Sequence, residues 1–231
     1  MGMRSGILAA LVAFSALVLP ARADFTSGCI QSDDTILRIE ACTRVIQGEE
    51  VQGGNIAWAF NNRGLAYEAV QRFDRALADY NAALLLDPTY AVAYNNRGNV
   101  YALLGNLEAA LADHTRAVEL DPEYAQAFYN RGADYEEFGD TEAAIADYTR
   151  ALEIEPDYTL ALVSRAAAYC VSEDIDAAVG DYLSLLDAGH FTPTRLQEYL
   201  QERGFYRGAI DGIFGRGSRG ALRAWAEAGC P

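Results

Sequence analysis

Residues 57–90, AWAFNNRGLAYEAVQRFDRALADYNAALLLDPTY, run directly into residues 91–124, AVAYNNRGNVYALLGNLEAALADHTRAVELDPEY, and those into residues 125–158, AQAFYNRGADYEEFGDTEAAIADYTRALEIEPDY. The three lines align without a gap. Arg63-Gly64, Arg97-Gly98 and Arg131-Gly132 recur every 34 residues, and Arg165-Ala166 carries the series into a fourth unit. The same interval separates Tyr67, Tyr101, Tyr135 and Tyr169, then Ala76, Ala110, Ala144 and Ala178, then Asp79, Asp113, Asp147 and Asp181, and last Pro88, Pro122 and Pro156. A fixed period of this size marks stacked supersecondary units, none of which can bury its apolar face alone.

Inside the first unit the pattern predicts helices from Ala57 to Val70 and from Phe73 to Leu86, with breakers between and after them. Asn106, Asp140 and Asp174 stand just before the second helix of their units, where a side-chain oxygen can cap free amides. Glu108, Glu142 and Asp176 add negative charge to the first turn. Arg63 with Asp79, and the same pair in each later unit, is expected to form an ion pair between the two helices. Small Gly and Ala, aromatic Tyr and a late Pro each return at a fixed place in the unit.

This pattern resembles the tetratricopeptide repeat. The resemblance implies an all-α fold, a right-handed superhelical solenoid of four repeats at 57–90, 91–124, 125–158 and 159–191. The last decays at its end, where Gly189 and His190 replace the acid and proline of the others. Residues 24–56 read as an N-terminal capping extension, with Thr35 to Ile46 as a lone amphipathic helix over the first repeat.

From Pro193 the text changes to a short helix, glycine-rich turns and a second helix. Leu196, Gln197, Leu200, Gly204, Phe205, Tyr206, Gly208, Ile210, Asp211, Gly212, Phe214, Gly215, Ser218, Ala221 and Leu222 follow the order and spacing of the small peptidoglycan-binding domain, which residues 192–231 resemble. Trp225 and Ala226 depart from the Phe and Gln usual in that family. The resemblance points to Tyr206, Phe214, Arg207, Arg216 and Arg219 as wall contacts, since aromatics pack on sugar faces and guanidinium groups pair with carboxylates. Asp211 reads better as an acceptor for turn amides than as a sugar ligand.

Arg4, an apolar run from Ile7 to Leu19, and Ala21-Arg22-Ala23 form a signal peptide with cleavage expected after Ala23. That run is too short to span a bilayer, so residues 1–23 predict export to the periplasm, where disulfides form. The four cysteines allow three pairings. Cys29 with Cys42 and Cys170 with Cys230 is the expected set, the first beside the N-terminal cap and the second fastening the C-terminal module to the last repeat. No metal is expected, because no two cysteines are separated by two residues and neither histidine lies near one.

The chain has 33 acids, 18 bases and a formal charge of -15, which disfavours nucleic acid as a partner. Every base is arginine, so lysine chemistry, a phosphate-loop lysine and a lysine general base are excluded. Acids outnumber arginines by 29 to 10 between Asp24 and His190, while from Arg195 onward there are six arginines against four acids. An acidic solenoid either favours basic partners or stays soluble by self-repulsion, and a mildly basic tail suits an anionic wall. His114 takes the place of Tyr80, Tyr148 and Tyr182 and reads as a packing residue.

No catalytic residue or cofactor is expected. The tetratricopeptide resemblance implies a concave groove that takes up a protein or peptide, lined by Asn61, Asn62, Asn95, Asn96, Asn99, Tyr129 and Asn130. Those amides either bond a bound backbone or only satisfy neighbouring helices. The expected function is a non-enzymatic periplasmic scaffold that holds a protein partner in the groove and peptidoglycan at the C-terminal module. The alternatives are a pure interaction protein whose terminal module is only a cap, and an unrecognised wall hydrolase.

Overall fold

The structure, a computed structural model, describes residues 25–48 and 55–230. The expected signal segment lies outside the described residues. All regular elements among them are α-helices: α1 (Phe25–Gln31), α2 (Thr35–Ile46), α3 (Ala57–Ala69), α4 (Phe73–Leu86), α5 (Ala91–Leu103), α6 (Leu107–Leu120), α7 (Ala125–Glu137), α8 (Thr141–Ile154), α9 (Thr159–Val171), α10 (Ile175–Asp187), α11 (Pro193–Glu202) and α12 (Arg216–Glu227). α3 with α4, α5 with α6, α7 with α8 and α9 with α10 are the four helical hairpins, each stacked on the next. Asn106, Asp140 and Asp174 accept from the amides of Ala109, Ala143 and Ala177 at 3.4, 3.1 and 3.2 Å. The first hairpin has Arg72 at this position and no side-chain cap.

Close approach within a hairpin depends on Gly64, Gly98 and Gly132. A Cβ on any of them would lie 2.7 Å from the ring of Tyr80, His114 or Tyr148 respectively. Gly132→Ala should therefore destabilise the chain by about 1–3 kcal/mol through overpacking. Gly180, also in a helix, has nothing within 4 Å of such a Cβ. Gly180→Ala should stabilise by up to about 1 kcal/mol. Chemical denaturation of both variants checks the pair of signs.

The recurring Arg and Asp meet across each hairpin in a two-pronged ion pair. Arg131 Nε and Nη2 donate to Asp147 at 2.6 and 2.7 Å, and Arg63–Asp79, Arg97–Asp113 and Arg165–Asp181 repeat the geometry at 2.7 to 2.8 Å. The first three of these guanidinium groups also lie over two rings of their own helix: Phe60 and Tyr67, Tyr94 and Tyr101, Phe128 and Tyr135. A planar cation bonded in plane and covered on its faces is locked in place.

Both ends of the stack are covered. α2 is where the sequence puts it, capped by Asp34, but it is not alone: α1 folds back on it, Cys29 is bonded to Cys42, and α2 packs on α3. A seven-residue helix is too short for periodicity to reveal. At the other end α12 packs on α10 and Cys170 is bonded to Cys230. One apolar core runs from Ala125 through the fourth hairpin to Leu200, Leu222 and Trp225. Arg223 adds an ion pair to Asp176 at 2.8 Å.

Candidate functional site: a cleft on the inner face

The first helices touch one another from hairpin to hairpin, α3 with α5, α5 with α7 and α7 with α9. They form one layer, and α4, α6, α8 and α10 lie behind it. The inner layer carries the seven residues expected to line a groove. The structure brings most of them into a ladder: Asn96 donates to Asn61 at 2.9 Å, and Asn130 Nδ2 lies 2.8 Å from Asn95 Oδ1 and 2.9 Å from Asn99 Oδ1. Asn61, Asn95 and Asn96 are buried. Their amides are used in joining one hairpin to the next, and Asn62 reaches back to the Cys29 carbonyl at 3.4 Å. Asn95 Nδ2 is buried with no hydrogen-bond partner among the described residues. Tyr129 stacks at an angle against Tyr148 and Tyr158.

Asn99 and Asn130 reach the surface of a cleft of about 730 Å³ at the junction of the second and third hairpins. Its lining includes Ala102, Leu103 and Ala133 together with Glu68, Glu136 and Glu137. Glu68 and Glu136 are held by tyrosine hydroxyls, Tyr80 donating at 2.9 Å and Tyr148 at 2.5 Å. Burial pushes the Glu68 carboxyl above its usual value, against the opposite pull of the Tyr80 hydroxyl. Burial and these carboxylates in turn push both tyrosines well up, so they stay neutral donors.

The second hairpin breaks this arrangement. His114 and Ala102 occupy the places of the tyrosine and the glutamate. His114 is 1% exposed, the packing position its register implied. Its Nδ1 lies 2.6 Å from Asp134 Oδ2 and its Nε2 3.1 Å from Asn99 Oδ1. Both ring nitrogens thus face oxygen. Asp134 was not legible as a site residue by itself. The signal that finds it is its place in the register, where the other repeats have Ala66, Val100 and Ala168.

The C-terminal candidates divide in two. Tyr206 and Phe214 are half-buried and pack against the core shared with the fourth hairpin, and the Tyr206 hydroxyl donates to the Ala209 carbonyl at 2.9 Å. Arg207, Arg216 and Arg219 are exposed. Gln197 is fully buried and ties the turn together, its Nε2 within 3.0 Å of Asp211 and 3.1 Å of Ser218, its Oε1 accepting from the Gly212 amide at 3.0 Å. Asp211 accepts from Ile213 at 2.9 Å, and its bonds to Gln197 and to that amide hold its carboxyl below the usual range.

The tetratricopeptide repeat profile matches residues 57–90, 91–124 and 125–158, unit for unit with the first three hairpins. These units are tetratricopeptide repeats. The fourth hairpin pairs its two helices in the same order and repeats the ion pair. Among solved structures, the tetratricopeptide array resembles MamA, with 25% identity and a TM-score of 0.60 over 68% of this chain and 90% of that one. The first such domain of Spaghetti, bound to the HSP90 peptide SRMEEVD, is 28% identical at a TM-score of 0.50, over 51% of this chain and 93% of that one. A tetratricopeptide repeat protein from Parabacteroides merdae shares the fold at 20% identity and a TM-score of 0.59, over 73% of this chain and 65% of that one. No curated protein matches the chain.

The all-α tetratricopeptide fold offers a surface for another protein and, among the described residues, no group of three or more His, Cys, Asp or Glu placed to hold a metal ion. None of the described helices is long and apolar enough to cross a membrane. His190 sits against Thr159 Oγ1 at 3.0 Å.

Proposed function

We propose that the protein is a non-enzymatic scaffold of the periplasm, exported by residues 1–23, whose repeats hold an extended segment of a partner protein while the C-terminal module associates with peptidoglycan. The observation that carries the groove reading is the cleft of about 730 Å³ on the inner face, where Asn99, Asn130 and four carboxylates meet the apolar Ala102, Leu103 and Ala133. The Spaghetti domain, which shares this fold, is bound to a peptide, and that supports a peptide segment as the class of partner. Residues 24–56 and 192–231 are the N-terminal cap and the wall-associating module of this reading, with residues 57–191 between them.

Exposed Arg207, Arg216 and Arg219 support wall association, because guanidinium groups pair with muramyl and stem-peptide carboxylates. The shared core around Trp225 favours a second reading, in which residues 192–231 serve only to close the stack. Sedimentation with isolated sacculi separates the two. The chain from residue 24 onward is expected in the pellet, and Arg207→Ala/Arg216→Ala/Arg219→Ala should reduce the bound fraction about fivefold or more. A wild-type chain that stays in the supernatant selects the cap reading.

A further inference from the structure

We propose that the cleft between the second and third repeats takes the cationic side chain, lysine or arginine, of an extended partner segment; this rests on the groove being the partner-binding face. The second repeat departs from its neighbours at positions that converge here. Tyr80 with Glu68 and Tyr148 with Glu136 fill the corresponding space in the repeats on either side. The second repeat has His114 and Ala102 instead, and the smaller pair leaves the volume that the cleft occupies.

The polar bonds lost with the tyrosine and glutamate are rebuilt from two further departures. Asn99 stands where other repeats have Leu65, Ala133 and Ala167, and Asp134 where they have alanine or valine. Asp134, 3% exposed, costs desolvation energy that an apolar residue at this place avoids. A local rule broken at several matching positions points to a binding role rather than to folding.

Charge decides the class of ligand. Glu68 approaches from the first repeat and Glu136 and Glu137 from the third, His114 in the lining is already matched by Asp134 at 2.6 Å, the chain has no lysine, and the inner-helix arginines are bonded to aspartates. An acidic segment would be repelled. A basic side chain would lay its methylenes on Leu103, which is 66% exposed, and bring its charge to the carboxylates.

The test is selection of random dodecapeptides displayed on phage against the disulfide-intact chain, followed by affinity measurement with the synthetic winners. Winners are expected to share one lysine or arginine. Glu68→Gln/Glu136→Gln/Glu137→Gln, which keeps an oxygen for each tyrosine, should weaken them about tenfold or more. Changing the basic residue of the peptide to glutamine should weaken the wild-type complex equally, and the two changes together should cost little more than either alone. Glu137→Gln alone, at an exposed side chain, gives the same reading in smaller measure if the triple variant fails to fold. Winners without a basic residue, or losses that simply add, overturn the cleft assignment and leave the groove standing. No winners at all would overturn both.

Discussion

Trp225→Ala is expected to lower the stability of the whole repeat array, not only of its last two helices, by about 3–5 kcal/mol. The indole is 3% exposed and meets Tyr182 and Tyr199 edge-on, with centroids 5.1 and 5.5 Å apart. In the first three repeats a glycine lets the ring of the second helix lie on the first. The fourth has Ala166, and its Tyr182 packs against Trp225. Burial pushes the Tyr182 hydroxyl up to about 12, so this ring stays neutral in its apolar setting. Stacked repeats share stability through their interfaces, so a void at one end should spread inward. Urea unfolding followed by helix signal should show the midpoint falling with the disulfide between Cys170 and Cys230 intact. A loss under about 1 kcal/mol, or a small separate transition confined to the tail, would show that the module is not part of the fold's support.

Asp147→Ala should be nearly as damaging, at about 3 kcal/mol, because it strands the Arg131 guanidinium between the rings of Phe128 and Tyr135. The side chains of this pair are 18% and 8% exposed, so water relieves part of the cost. Arg131→Met/Asp147→Leu should recover most of the loss, since matched apolar groups need no pairing. If the double variant is as unstable as the single one, the pair contributes net attraction rather than merely avoiding a stranded charge. Thermal or urea melting of the three proteins measures this directly, and binding by the groove should be unchanged in the double variant.

The repeat period made the hairpins legible from sequence almost to the residue. Repetition averages out local ambiguity, so an Arg, a Gly and an Asp returning at one interval fix both helices and their mutual packing. The short helix α1 had no such support. The inner asparagines were visible as a set, yet their roles were not: periodicity places them on one face and says nothing of whether each amide meets solvent or the next hairpin. Geometry resolves this, with Asn61, Asn95 and Asn96 inside the ladder and Asn99 and Asn130 at its open edge. The cleft was harder still, because it arises from what the second repeat lacks. Reading His114 as packing was right about its burial and silent about Asp134, which comes from the next repeat.

Occupation of the inner face by another protein is tested most directly by crosslinking. A photo-crosslinking residue at Leu103, in the cleft, can be compared in intact cells with the same residue at Leu85, which is 84% exposed on the outer helix α4. Adducts to a discrete polypeptide from position 103, absent at 85 and lost with Glu68→Gln/Glu136→Gln/Glu137→Gln, are the expected result. Adducts of equal yield from both faces, or from the outer helix alone, would contradict it.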